Sequence, residues 1–111
     1  MRNEYGALMD SNKYCPSIIP KHNDHRCFLC GSGTPCERHE IFHSHMGAYR
    51  DKSKRYGLWV HLCEACHDEV HRSAFFDRQL KIKAQEAAHR QYGWDAERFI
   101  QEFGRNYIEE D

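Results

Sequence analysis

Two Cys-x-x-Cys pairs, Cys27/Cys30 and Cys63/Cys66, stand on either side of the middle of this chain, and no other feature constrains its fold as much. A two-residue spacer lets both sulfurs of a pair face one ion. Two such pairs close a tetrahedral zinc site that clamps distant segments together. The second pair runs straight into His67 and then His71, spelling Cys-x-x-Cys-His-x-x-x-His. Those imidazoles exceed what a structural staple needs and point to a second ion.

At 111 residues the chain has room for one domain with a thin core, which a bound zinc would reinforce. Six cysteines also suit a secreted disulfide framework, but no apolar signal region opens the sequence. Zinc in a reducing, cytoplasmic compartment is therefore expected. No apolar run approaches the roughly 18 residues of a membrane span. With 30% charged residues and a mean hydropathy of -0.91, no membrane partner is expected. The net charge of -1 is uninformative until the charges are located. Arg50-Asp51-Lys52-Ser53-Lys54-Arg55 gathers four bases around one acid, Arg72, Arg78, Lys81 and Lys83 follow, and the end from Asp95 to Asp111 is mostly acidic. Such a basic middle reads either as a phosphate-facing surface or as an ordinary solvated loop and helix face.

Three stretches follow from the residue pattern. Residues 1–25 mix Gly, Asn and Pro without periodicity and read as an irregular arm, packed on the core or partly mobile. Residues 26–75 hold the metal motifs. A short strand is expected over 38–42, then a Gly-, Arg- and Lys-rich loop, then a strand over 56–62 that delivers Cys63. A helix follows from Glu64 to Arg72, on which His67 and His71 share one face. Residues 76–111 form a C-terminal helical extension. Asp77 is the expected N-cap of a helix over 77–92 with Leu80, Ala84, Ala87 and Ala88 as its apolar stripe, stopped by Gly93. A last helix starts at Asp95, presents Phe99, Ile100 and Phe103, and ends at Gly104. Cys15 and Cys36 fall outside the paired spacing and are expected to be free thiols.

Knuckle, His39-bearing strand, basic loop, strand, knuckle and His67/His71 helix succeed one another between Cys27 and His71. This order, with the words Arg-His-Glu-Ile-Phe, Arg-Asp-Lys-Ser-Lys-Arg-Tyr-Gly-Leu and Leu-Cys-Glu-Ala-Cys-His, resembles the HNH endonuclease family, and in particular small HNH proteins of phages and prophages. The resemblance implies an α+β fold with a small ββα-metal (His-Me finger) core, stapled by a structural Zn2+ on Cys27, Cys30, Cys63 and Cys66. It implies hydrolysis of DNA, duplex by default, to 5′-phosphate and 3′-hydroxyl ends in the cytoplasm of a bacterial host. One catalytic divalent ion, Mg2+, Mn2+, Ni2+ or Zn2+, would be held by His39, His67 and His71, with Arg50 as a phosphate clamp. Glu40 stands where the family pattern has a histidine as general base, so both Glu40 and His39 are candidates for that role. The middle Asn of the family name is missing, and Ser53 or Tyr56 must brace the intervening loop instead.

Two rivals come from other classes. His39-Glu40-Ile41-Phe42-His43 spells the His-Glu-x-x-His of a zinc metallopeptidase, whose histidines must lie on a helix. A zinc-stapled module that binds nucleic acid or protein without catalysis needs only the four cysteines. The remaining histidines are expected to be bystanders: His43, His45 and His61 near a metal or on solvated surface, and His22, His25 and His89 with no role. Phe42 and Trp59 are expected in the core.

Overall fold

A computed structural model describes residues 1–43 and 47–108. His45 and the acidic residues 109–111 lie outside the described residues. The elements run β1 (Cys36–Glu40), α1 (Ala48–Arg55), β2 (Trp59–Cys63), α2 (Glu64–Arg72), α3 (Ala74–Tyr92) and α4 (Ala96–Phe103). The two strands pair antiparallel, with His39 opposite Val60 and Cys36 opposite Cys63. The fold class is α+β, with one two-stranded sheet and four helices among the described residues.

Strand alternation sorts the two faces of this sheet. Val60 and Leu62 are fully buried in a cluster with Val70 of α2, Leu80 and Ala84 of α3, and Phe99 and Phe103 of α4. Phe42 closes that cluster, stacked on Phe103 with ring centroids 4.4 Å apart. The alternate residues Trp59 and His61 lie on the other face, beneath the N-terminal arm. Residues 15–18 of the arm pack there, while Asn3, Glu4 and Tyr5 reach Arg55, Tyr56 and Trp94. Trp59 Nε1 donates to the Cys15 carbonyl at 2.8 Å, Ser17 Oγ donates to the Trp59 carbonyl at 2.6 Å, and Ile18 N–H donates to the Gly57 carbonyl at 2.9 Å. Gly57 permits this crossing, because its φ is +71° and a Cβ there would lie 2.2 Å from the Pro16 carbonyl oxygen.

Several sequence expectations need correction. The basic loop contains α1, whose only buried residue is Ser53. A helix without an apolar stripe leaves no periodic signal. The strands are β1 at Cys36–Glu40 and β2 at Trp59–Cys63, displaced from 38–42 and 56–62, because Tyr56 and Gly57 close α1 before β2 can begin. Helix α3 starts after Ser73, whose hydroxyl accepts from Phe76 N–H, so Asp77 lies in the first turn and is not the cap. Its stripe of Leu80, Ala84, Ala87 and Ala88 is buried as expected, and so is Gln85. Gln85 Oε1 accepts from Tyr107 N–H at 2.7 Å and its Nε2 donates to Asn106 Oδ1 at 2.7 Å, tying the chain after α4 to α3. Asp95 caps α4 and Gly104 ends it, but Ile100 is exposed, since Phe99 and Phe103 alone share the inward face. No helix among the described residues is long and apolar enough to cross a membrane.

Candidate metal centres

Cys27 and Cys30 belong to a tight turn, closed by Gly31 N–H donating to the Cys27 carbonyl at 2.9 Å and Cys27 N–H donating to the Ser32 carbonyl at 2.9 Å. Cys63 ends β2 and Cys66 lies in the first turn of α2, so the strand-to-helix corner supplies the other half. The four sulfurs lie within 4.8 Å of one another. Cys30 Sγ and Cys63 Sγ are 3.8 Å apart, far beyond a disulfide. Tetrahedral sulfurs on a zinc bond of ~2.3 Å stand about 3.8 Å apart, so the set fits a structural ion such as zinc. Burial pushes the Cys27 thiol up, but the backbone N–H groups of Cys30, Cys63 and Leu29 outweigh it and hold it below the usual thiol range, whereas burial and the neighbouring thiols push Cys66 well above it. Cys15 is buried and Cys36 points its sulfur at the Thr34 carbonyl; neither joins the cluster.

A second group lies where β1 passes the helical face of α2. His39, His67 and His71 offer ligand nitrogens within 4.8 Å of one another. The i, i+4 spacing holds the His67 and His71 rings 4.8 Å apart, and the His39 ring stands 5.1 Å and 5.6 Å from them. His39 is 2% exposed, and its buried Nε2 has no hydrogen-bond partner among the described residues. Burial, aided by the neighbouring His67, His43, His71 and Lys81, drives its pKa down to about 3, which keeps the ring neutral. A neutral imidazole with an orphaned buried nitrogen is in the state a divalent ion needs. Glu37 Oε2 lies 3.3 Å from His67 Nδ1 and orients that ring.

Beside this group, a cleft of about 210 Å³ is lined by Arg38, His39, Glu40, His43, Arg50, His67 and His71. Glu40 is held from two sides. Tyr14 Oη donates to its Oε2 at 2.7 Å, and Arg50 Nε lies 3.3 Å from its Oε1. Burial and the Glu40 carboxylate together push the Tyr14 phenol far above its ordinary value, so it remains a proton donor. Every residue expected to be catalytic or to hold the second ion therefore lines one cleft, although Arg50 spends one donor on Glu40.

The fold also brings into contact four residues to which the sequence assigned no role. His43, expected near a metal or on solvated surface, lines the cleft, and with His39 and Asp77 it forms a further group of possible ligands. Tyr14 carried no signal, being 26 residues from its partner. His22 and His61 also meet, across the arm and β2. The His-Glu-x-x-His word lies on β1 and the irregular segment after it, not on the helix a metallopeptidase requires. Compared with family models, with curated proteins and with solved structures, the chain matches none.

Proposed function

We propose that this protein is a metal-dependent endonuclease of the HNH type, which hydrolyses DNA phosphodiester bonds to 5′-phosphate and 3′-hydroxyl ends. In this reading β1, β2 and α2 serve as a ββα-metal core. The observation that carries it is the buried Nε2 of His39, unpartnered among the described residues, on a ring 5.1 Å and 5.6 Å from those of His67 and His71, in a cleft that also holds Glu40 and Arg50. His39, His67 and His71 would hold the ion, and imidazole donors accept Mn2+, Ni2+ or Zn2+ more readily than Mg2+. Such an ion supplies Lewis-acid stabilisation of the charge that builds on the phosphoryl and leaving 3′ oxygens.

The chain's own groups do the rest. Glu40 takes the proton of the attacking water, with its carboxylate oriented by Tyr14 and Arg50. In this reading His39 serves the ion and Glu40 the base role, since His39 shares its ligand group with His67 and His71. Arg50 keeps 53% of its side chain exposed, and a guanidinium has more N–H donors than the one directed at Glu40, so it can also grip a phosphate oxygen. One observation favours the non-catalytic zinc module instead: both Glu40 oxygens already have a partner.

The deciding experiment is plasmid cleavage by protein whose four-cysteine site is kept loaded with Zn2+ while the ion held by His39, His67 and His71 is removed and replaced by Mg2+, Mn2+, Ni2+ or Zn2+. Cleavage to 5′-phosphate ends is expected, about 100-fold slower in Glu40→Gln and abolished in His67→Ala. Tyr14→Phe should slow it less. No cleavage with any of these ions, while the four-cysteine site stays loaded, sinks the nuclease in favour of the binding module.

A further inference from the structure

We propose that His22, Asp24 and His61 form a separate zinc site, distinct from the four-cysteine cluster and from the cleft around His39, and that it staples the N-terminal arm to β2. His61 stands on the outer face of the sheet, opposite Arg38 in the ladder. The arm turns at Lys21, whose φ is +68°, and brings His22 and Asp24 over that face. His22 Nε2 lies 3.0 Å from His61 Nδ1, and Asp24 Oδ1 lies 3.7 Å and 3.8 Å from the same two nitrogens.

A triangle with those sides has its circumcentre about 2 Å from each corner, the length of a Zn–N or Zn–O bond, ~2.0–2.2 Å. One point is thus at bonding distance from all three donors. A hydrogen bond between the two imidazoles accounts only for the shortest side. The Asp24 carboxylate, 71% exposed, stands about equally far from both nitrogens.

The shape of the triangle also selects the ion. Two histidines and a carboxylate serve Fe(II) when arranged as an octahedral facial triad, whose three edges would all be near ~3.0 Å. Here two edges are longer, as they are around a tetrahedral ion, whose ~2.2 Å bonds would lift it out of the donor plane. Zn2+ has no d-electron preference among geometries and accepts this, with water on the open side. A cleft of about 450 Å³, lined also by Asp10, Tyr14, Arg38 and Trp59, gives the ion and its water a way in. The Arg38 guanidinium would oppose a cation, but Asp10 pairs with it at 2.8 Å and it stacks on the Tyr14 ring at 4.3 Å.

The test is an ion count that does not depend on any DNA cleavage. Stripped protein is reloaded with Zn2+, dialysed and analysed for zinc, wild type beside His22→Ala/His61→Ala. A parallel Co2+ loading reads the thiolate-to-cobalt absorption, which reports that the four-cysteine cluster is formed. The expected result is one ion fewer per chain in the double variant with that absorption unchanged; equal counts overturn the site. If the double variant loses the absorption, Asp24→Ala decides, since this exposed position leaves the core untouched. At least tenfold weaker binding of one Zn2+ per chain supports the site, and an unchanged titration overturns it. Zinc should also slow tryptic cleavage at Lys21 in the wild type more than in Asp24→Ala, and equal protection in the two overturns the staple.

Discussion

Ser53 is fully buried, yet its hydroxyl is satisfied twice, accepting from Phe42 N–H at 3.0 Å and donating to the Phe42 carbonyl at 2.8 Å. One side chain thus replaces the partner strand that Phe42 lacks just beyond β1. Ser53→Ala should leave both backbone groups unpaired and lower stability by about 2 kcal/mol, measured by urea unfolding. Ser53 was one of two residues expected, from the resemblance, to brace this loop. The other candidate, Tyr56, instead donates to Glu4 Oε2 in the arm at 2.7 Å. His39 makes a second prediction. Its folded pKa of about 3 lies below the ordinary 6.5, so the unfolded chain binds a proton that the native state excludes. Stability is then fully present above about 6.5 and is lost as pH falls toward about 3. Between about pH 6.5 and 4.5 the wild type should lose on the order of 2 kcal/mol more than His39→Gln. Urea midpoints that track each other across that range would contradict this.

Elements with strong local signals were legible. The knuckles follow from two-residue spacers, α2 from its position behind Cys63, and α4 from its Asp95 cap and Gly104 stop. Helix α1 and the strand limits were not legible, because α1 buries only a serine and β2 starts where α1 happens to close. The true start of α3 was hidden by a competing cap. Ser73 and Asp77 both suit that position, and the β-region backbone of Ser73, between α2 and α3, decides between them. The arm's path across the sheet hangs on Gly57. Gly57→Ala should cost on the order of 3 kcal/mol, from a positive φ and a clash with the Pro16 carbonyl. Thermal unfolding would register it as a clear fall in Tm, and an unchanged Tm would mean that the arm does not dock here.

At the scale of the molecule, the four cysteines join the turn at residues 27–30 to the corner between β2 and α2, with the apolar core packed beside them. Chelation should therefore remove the cooperative unfolding transition, since structural zinc contributes on the order of 10 kcal/mol to small metal-stapled folds. Circular dichroism during titration with a strong chelator would show it, and a transition that survives complete zinc removal would demote the cluster to an accessory. The sequence by itself determined the cysteine set, the helical pair His67 and His71, the apolar stripe of α3 and the cap of α4. All of these are short-range patterns fixed by helix and turn periodicity. Only the tertiary structure decided that Tyr14 meets Glu40, that His43 enters the cleft, that Gln85 anchors Asn106 and Tyr107, and that His22 meets His61. Most of these contacts join residues far apart in the chain, and their formation depends on how the arm and helices pack around the sheet, which no local spacing records.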